Sequence, residues 1–308
     1  MEKMLMEKGV NIGESIKELV KNISIPGVTT GLIGALFSSM GPGMIVMSAA
    51  KEGKLPDNIA VSWIFAIFFF AGLATMFISL YYRTPIVIAY SIPGLVLIGK
   101  YLASGGNIYE AVGVYIAIAI VVLILTTTGV IKTVIEHIPT PIMLGMVAGV
   151  LLSFGLNAFT SALTTPAVYG IIVAVFFIWY FFKRLSSKIP AVVILLIVGV
   201  ILLKVNGLTK SVPLAWEIAK PVFVAQHFSV KSLIALGIPL FFMVVGVQNI
   251  QAVGVLLSRG YKSPINAMYT VPSIVTFFYA LCGGHTAVTA GPSTAICSGD
   301  IAGKKEYR

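Results

Sequence analysis

The side chains of this chain that could do chemistry are few, and most of them lie beside two prolines in apolar surroundings. These candidates are Tyr90, Ser91, Pro93 and Gly94 in a first group, and Thr289, Gly291, Pro292, Ser293 and Thr294 in a second. Proline is favoured in the first turn of a helix, so each group is predicted to contain a helix start. The free N–H groups and positive dipole end of a helix start attract a carboxylate without any Lys or Arg. The two groups therefore predict the binding of a small anion.

Three other polar positions are candidates for the same site. Gln248 and Asn249 interrupt an apolar run of 27 residues. Buried amides need hydrogen-bond partners, so these two either contact a substrate or gate, or bond to a neighbouring helix. Ser39 belongs to the small-residue stretch 38–43, which either breaks its helix at the site or serves ordinary helix packing. For Tyr90, stacking on an aromatic ligand and simple packing are both open.

The sequence contains no signature of an enzyme. We find no HExxH zinc motif, no GxSxG nucleophile motif, no Walker phosphate loop and no paired acidic motif. The two cysteines, Cys282 and Cys297, lie in apolar sequence, where inert buried thiols are expected. We therefore predict no enzymatic activity, no cofactor and no metal site.

The composition is that of a membrane protein. Of the 308 residues, 58% are hydrophobic and 10% are charged, and the mean hydropathy is +0.99. Soluble chains average about 25% charged residues. A soluble enzyme, a nucleic-acid-binding protein and a disordered chain are therefore excluded. We attribute the net charge of +10 to Lys and Arg in cytoplasmic loops.

The elements that must position the candidate residues are membrane-spanning helices. A helix needs about 20 apolar residues to cross the bilayer. The uncharged runs predict an all-α polytopic protein with about ten crossings. These lie at 27–50, 58–80, 84–101, 108–130, 138–156, 165–183, 188–205, 230–257, 266–282 and 284–301.

The third and tenth crossings are short and interrupted by proline. Their apolar stretches, 84–99 and 284–299, hold 16 residues each, and as plain helices they would reach only about 24 Å. With about six residues extended and about ten helical, the reach becomes roughly 35 Å. β-Branched residues precede each proline, and the residue before a proline favours extended geometry. We therefore predict two discontinuous spans, each with a short extended segment followed by a helix.

The spacing of the two discontinuous spans predicts an inverted repeat. They lie seven crossings apart, and a repeat unit with an odd number of crossings reverses its direction in the membrane. In secondary transporters, broken helices at matching positions of two inverted repeats mark the substrate site. The alternative is coincidence, because Pro and Gly are common in membrane helices.

Four stretches carry a resemblance to a known family. They read YRTPIVIAYSIPG (82–94), HIPTPIMLGMVAGVLL (137–152), GIPLFFMVVGVQNIQAVGVLLSRGY (237–261) and GGHTAVTAGPSTAICSGDIAGKKEYR (283–308). In these stretches the chain resembles the benzoate:proton symporters, the BenE family, which look similar in architecture to uracil:proton symporters. The resemblance extends over most of residues 20–308.

The resemblance implies a transporter fold of seven plus seven spans, with a core domain and a gate domain. The implied sections are an N-terminal cytoplasmic segment (1–26), a first repeat (27–205, with core 27–130 and gate 138–205), an extracellular connection (206–229) and the start of a second repeat (230–308). The implied function is proton-coupled uptake of benzoate or a similar aromatic carboxylate by alternating access. The substrate would lie between the third and tenth spans.

The chain departs from the family at its end. It stops at Arg308, just after the tenth span, whereas members of the family continue for about four more spans. We therefore expect a C-terminally truncated carrier that does not transport alone. An anion channel that uses the same helix starts is a further alternative.

Proton coupling has one candidate residue within the predicted spans. Proton-driven carriers usually keep a carboxylate or a histidine inside the membrane, and outside the loops this sequence offers only His285. Two hypotheses follow. Either His285 titrates, or the carboxylate of the substrate carries the proton across.

The charge distribution predicts the orientation. With the N-terminus inside, 14 Lys and Arg lie on the inner side and 7 on the outer side, as the positive-inside rule requires. We predict a multi-pass protein of the cell inner or plasma membrane with a cytoplasmic N-terminus.

The spacing of Glu14, Lys17, Glu18 and Lys21 suggests a short solvated or interfacial helix before the first span. The expected partners are a small aromatic carboxylate, a proton and membrane lipid; a homodimer is a further candidate, and nucleic acid is not expected.

Overall fold

The computed structural model describes residues 6–182, 191–209 and 218–303. The chain divides into two compact units. Residues up to Val147 and from Ala219 onward belong to the first unit, and Ala148–Ile218 belongs to the second. The beginning of the predicted N-terminal segment, the start of the predicted seventh crossing, the middle of the predicted connection and the last five residues lie outside the described ranges.

The described residues are mostly helical. In chain order, the elements are α1 (Ile12–Lys21), α2 (Ile25–Glu52), α3 (Asp57–Tyr82), β1 (Ile88–Tyr90), α4 (Ile92–Ala103), α5 (Ile108–Thr127), α6 (Val130–Glu136), α7 (Thr140–Thr164), α8 (Pro166–Phe181), α9 (Ala191–Val205), α10 (Val230–Ser258), α11 (Ile265–Leu281), β2 (Ala287–Thr289) and α12 (Gly291–Cys297). Two stretches of α10 are π-helical, Leu233–Gly237 and Met243–Asn249.

The fold is that of an all-α membrane protein. In the part of the chain that the structure describes, α2, α3, α5 and α10 are long and apolar enough to cross a membrane. Each of the ten predicted crossings overlaps an apolar helix or one of the two strand–helix segments. The number of segments that cross, and the seven-plus-seven repeat, stay predictions.

One predicted boundary is wrong. The fifth crossing was expected to end at 156, with a turn over 157–165, but α7 continues to Thr164. The sequence between these positions contains neither Gly nor Pro, so nothing ends the helix before Pro166. Thr165, which precedes this proline, adopts the extended φ of −136° that the proline favours.

The two predicted extended segments are present, and they pair with each other. β1 and β2 form an antiparallel ladder with Ile88 opposite Thr289 and Tyr90 opposite Ala287. Helix α4 follows β1 after Ser91, and α12 follows β2 after Ala290. Because the strands are antiparallel, the two helices leave the ladder in opposite directions. The helical part of the tenth span holds seven residues, not the expected ten, because the chain turns at Ser298 and Gly299.

The outer edges of this small ladder are covered by threonines from the preceding helices. Thr75 of α3 accepts the N–H of Ile88 at 2.9 Å and donates to its carbonyl at 3.1 Å. Thr276 of α11 accepts the N–H of Ala287 at 2.9 Å. Extended backbone in a membrane protein needs such partners because lipid offers none. The two helices that lead into the discontinuous spans therefore also stabilise the strands.

The core of the first unit surrounds the ladder. Helix α11 packs against α3 and α5, and α2 packs against α4 and α12. Large aromatic side chains at the centre are fully buried and bond to backbone carbonyls. The Tyr279 hydroxyl donates to the carbonyl of Ile67 at 3.0 Å, and the Tyr269 hydroxyl donates to that of Val245 at 2.9 Å. These bonds join helices that are distant in sequence.

Candidate functional site

The start of α4 is built by a serine cap and a close helix contact. The Ser91 hydroxyl accepts the N–H of Gly94 at 3.0 Å, and Pro93 lies within the first turn, where its missing N–H has no consequence. A Cβ at Gly94 would lie 2.6 Å from a methyl carbon of Leu240 on α10. Glycine at this position therefore allows the start of α4 to approach α10.

Gln248 of α10 meets this helix start directly. The Ser91 hydroxyl donates to Oε1 of Gln248 at 2.6 Å. Gln248 lies in the second π-helical stretch of α10, and π-helical turns are frequent at functional sites. Oε1 of this half-buried amide accepts from Ser91, and its NH2 group can donate further hydrogen bonds. Gln248 thus bonds to a residue of another span, 157 positions away in the sequence.

Asn249 and Thr289 use their polar groups within the protein. Oδ1 of Asn249 accepts the N–H of Thr289 at 2.8 Å, and the Thr289 hydroxyl donates to the carbonyl of Met268 at 2.7 Å. Both side chains are buried. These bonds match the second alternative considered for Asn249, an amide that joins α10 to a neighbouring element.

The residues at the start of α12 also have protein partners. Oγ1 of Thr294 accepts the N–H of Val87 at 3.2 Å, and the Ser293 hydroxyl lies 2.8 Å from that of Ser38 on α2. No side chain caps this short helix, whose first turn contains Pro292. A Cβ at Gly291 would lie 2.7 Å from the side-chain amide carbon of Gln251, so α10 and α12 are in close contact here.

Tyr90 and Ser39 both bond to backbone carbonyls of α2. The Tyr90 hydroxyl donates to the carbonyl of Ser38 at 2.8 Å, and its ring lies 6.0 Å from the ring of Phe68 and 5.5 Å from that of His285. Tyr90 is buried among these groups, as its packing alternative describes. The Ser39 hydroxyl donates to the carbonyl of Ala35 in its own helix at 2.7 Å.

His285 is fully buried and bonded at both ring nitrogens. The indole N–H of Trp63 donates to Nδ1 at 3.0 Å, and Nε2 lies 3.1 Å from the carbonyl oxygen of Ser91. An indole N–H can only donate and a carbonyl can only accept, so the partners define a neutral ring with its proton on Nε2. His285 thereby links α3 to the cap residue of α4.

Sequence reasoning missed three groups at this site. Gln251 lies one turn beyond Gln248 in the same apolar run and was passed over, although it is a third large amide there. Trp63 was detectable as a lone indole N–H in an uncharged span, which requires a partner when buried. Phe68 gave no signal, because α3 contains several phenylalanines. No group of three or more His, Cys, Asp or Glu side chains that could hold a metal occurs among the described residues.

The apolar helices and the strand pair between them define a multi-pass membrane protein. Comparison with known proteins assigns it further: residues 21–308 match the BenE family, described as benzoate membrane transport protein, and the chain belongs to this family. It is 32% identical over 284 residues to the benzoate membrane transport protein of Acinetobacter baylyi (strain ATCC 33305 / BD413 / ADP1), covering 92% of this chain and 71% of the relative. It is 24% identical over 276 residues to the inner membrane protein YdcO of Escherichia coli (strain K12), covering 90% of this chain and 69% of that protein.

Proposed function

We propose that this chain is part of a secondary active transporter that takes up benzoate, or a similar aromatic carboxylate, together with a proton. The observation that carries the proposal is the crossing of two discontinuous spans, with the Gln248 amide bonded to the cap of α4. Membership of the BenE family supports the aromatic carboxylate as the substrate class. Alternating access between a core and a gate domain, a seven-plus-seven repeat and a homodimer belong to the same proposal.

We propose two different roles for the residues of the binding site: some contact the substrate, and others hold the surrounding backbone in place. The NH2 group of Gln248, beside the start of α4, is proposed to bind the carboxylate, whereas Ser91 and Gly94 form the cap that positions this amide. The Thr289, Asn249 and Thr294 side chains are proposed to hold the strands, because their polar groups already bond to protein. Binding of the carboxylate then needs no Lys or Arg side chain, since the proposed donors are neutral N–H groups.

The hydrogen bonds of His285 support the carboxylate of the substrate as the proton carrier. Protonation at Nδ1 would set an N–H against the indole N–H of Trp63, 3.0 Å away, in a site without water contact. Two facing donors in a buried site are strongly unfavourable. We therefore propose that His285 stays neutral and positions Ser91, while benzoate binds as a carboxylate, takes up the proton itself and crosses in its protonated form.

The proposal predicts that Gln248→Leu weakens benzoate binding. Loss of one hydrogen bond to a charged group costs about 1.5–3 kcal/mol, which is roughly a 10- to 100-fold rise in Kd. Equilibrium binding of labelled benzoate to the purified protein measures this effect separately from transport. Gln226→Leu, which changes an exposed glutamine in the connection before α10, is the matched control and should leave Kd unchanged. Undetectable benzoate binding by the unchanged protein would sink the substrate assignment.

The proton hypothesis predicts that the substitution corresponding to His285→Gln, made in a full-length member of the family, keeps the pH dependence of benzoate binding and uptake. Glutamine can accept from Trp63 and donate to Ser91 without titrating. Proteoliposomes with labelled benzoate at several pH values provide the measurement, and the flux separates a carrier from a channel. A pH profile that becomes flat in His285→Gln, with binding intact, would instead identify His285 as the titrating group.

A further inference from the structure

Helix α1 is docked on the protein by its polar face. Arg83, in the connection between α3 and β1, lies 2.8 Å from the carboxylate of Glu18 and 3.9 Å from that of Glu14. Nε of Arg83 also donates to the hydroxyl of Ser15 at 3.1 Å, and Ser15 is buried. Amphipathic helices of soluble domains normally bury the apolar stripe instead.

The apolar side of α1 therefore faces away from the protein. Ile16, Leu19, Val20 and Ile23 follow one another at helical spacing, and their exposed fractions are 46%, 56%, 70% and 69%. Residues three and four apart lie on one face of a helix, so Ile16, Leu19 and Val20 form a single stripe, and Ile23 follows in the connection to α2. Burial of such a stripe contributes about 25 cal/mol for each Å² removed from water.

The course of the chain identifies what covers this stripe. Helix α1 ends at Lys21, and the spanning helix α2 begins at Ile25. The first turns of α2 expose Ile25, Val28 and Leu32 to the surroundings, which for a spanning helix are lipid. The apolar stripe of α1 continues directly into this lipid-facing surface. A helix so close to the start of a span must lie at the level where the bilayer meets water.

We propose that α1 is an interfacial helix that inserts its apolar stripe, Ile16, Leu19 and Val20, together with Ile23 after it, between the headgroups and acyl chains of the bilayer. The partner is the lipid of the leaflet on the N-terminal side, not another protein. Lys17 and Lys21 lie on the polar side of the helix, where their ammonium groups reach lipid phosphates. The contacts of Arg83 with Glu18 and with the buried Ser15 fix the rotation of α1, so that the stripe points into the membrane.

The test is site-directed spin labelling of the whole chain in vesicles of phosphatidylcholine and phosphatidylglycerol. In a background with Cys282→Ala and Cys297→Ala, single cysteines replace Ile16, Leu19, Val20 or Ile23, and Lys17 or Lys21 serve as controls on the other face. Molecular oxygen concentrates in the bilayer, whereas a nickel chelate stays in water. We expect the four stripe labels to be accessible to oxygen and shielded from nickel, and the two lysine positions to show the reverse.

Two results would overturn the proposal. Nickel access at all six positions would place α1 in water, and shielding of the stripe from both reagents would mean that protein covers it. Leu19→Trp provides a second measurement in the native cysteine background, because brominated lipids quench an indole that lies in the interface. Absence of quenching contradicts lipid contact even if some cysteine variants fail to insert. Arg83→Gln should reduce the contrast between the two faces, because the rotation of α1 is no longer fixed.

Discussion

At the residue scale, three amides of α10 lie within four positions and have different surroundings. Oε1 of Gln248 bonds to Ser91, and Oδ1 of Asn249 bonds to the backbone of Thr289. Gln251 is buried against Gly291, and its Nε2 has no hydrogen-bond partner among the described residues. The sequence alone could not separate these cases, because each partner lies 40 to 157 residues away.

We predict that Gln251→Met leaves stability unchanged or raises it. A buried, unsatisfied polar group costs about 1–3 kcal/mol, and methionine fills a similar volume without a polar atom. Thermal unfolding in detergent measures the change, and benzoate binding should stay within error of the unchanged protein. Asn249→Leu is the matched comparison, which should destabilise because it leaves the N–H of Thr289 without its acceptor. A lower Tm for Gln251→Met would show that the amide has a stabilising partner.

At the element scale, the start of α11 is completed by a residue from the other end of the chain. The carboxylate of Glu7 accepts the N–H groups of Asn266 at 2.8 Å and Ala267 at 3.0 Å. The cap position itself is Pro264, which offers no side-chain hydrogen bond. A carboxylate at a helix start satisfies free N–H groups and interacts favourably with the helix dipole. Glu7 thus stabilises the helix that leads into the tenth span.

Loss of this cap is predicted to destabilise the protein. Glu7→Ala should lower the free energy of unfolding by about 1–2 kcal/mol, as for other helix caps, and Glu7→Gln by less, since an amide oxygen still accepts. Reversible unfolding in mixed micelles provides the measurement. Glu14→Ala is the control, because its exposed pairing with Arg83 at 3.9 Å contributes little. Equal effects of Glu7→Ala and Glu14→Ala would argue against a specific cap.

Only part of the structure of the two discontinuous spans could be predicted from the sequence. Proline position and length correctly predicted an extended segment before α4 and before α12. The pairing of the two segments, and the threonines that complete their edges, depend on contacts between distant elements. Thr75 and Thr276 were therefore not identifiable as strand partners, because within α3 and α11 they resemble ordinary helical threonines. The end of α7 was mispredicted, because no Gly or Pro breaks the helix between residue 156 and Pro166.

At the scale of the whole molecule, contacts between loops limit the possible topologies. Glu7 lies beside the start of α11, which agrees with the predicted scheme, in which the N-terminal segment and the connection from α10 to α11 lie on one side of the membrane. The hydroxyl of Ser62, near the start of α3, accepts the N–H of Val222 and donates to the carbonyl of Cys282. In the predicted scheme, the start of α3, the residues before α10 and the end of α11 lie together on the other side of the membrane from the N-terminal segment. These contacts agree with an even number of crossings between residues 21 and 262, which is eight in the predicted scheme. The count itself stays a prediction.

The charge asymmetry predicts which of these two sides is the cytoplasm. Lys and Arg favour the cytoplasmic side, and the N-terminal placement assigns 14 of the 21 to it. Lys262 then faces the cytoplasm and Lys51, at the end of α2, faces outward; both side chains are exposed.

In a background without native cysteines, a membrane-impermeant maleimide should label Lys51→Cys in intact cells, and Lys262→Cys only after permeabilisation. Lys132→Cys, on α6 and also assigned to the inner side, should follow Lys262→Cys. The reverse pattern would place the N-terminus and α1 on the outer leaflet, and labelling of both positions from outside would contradict the even number of crossings.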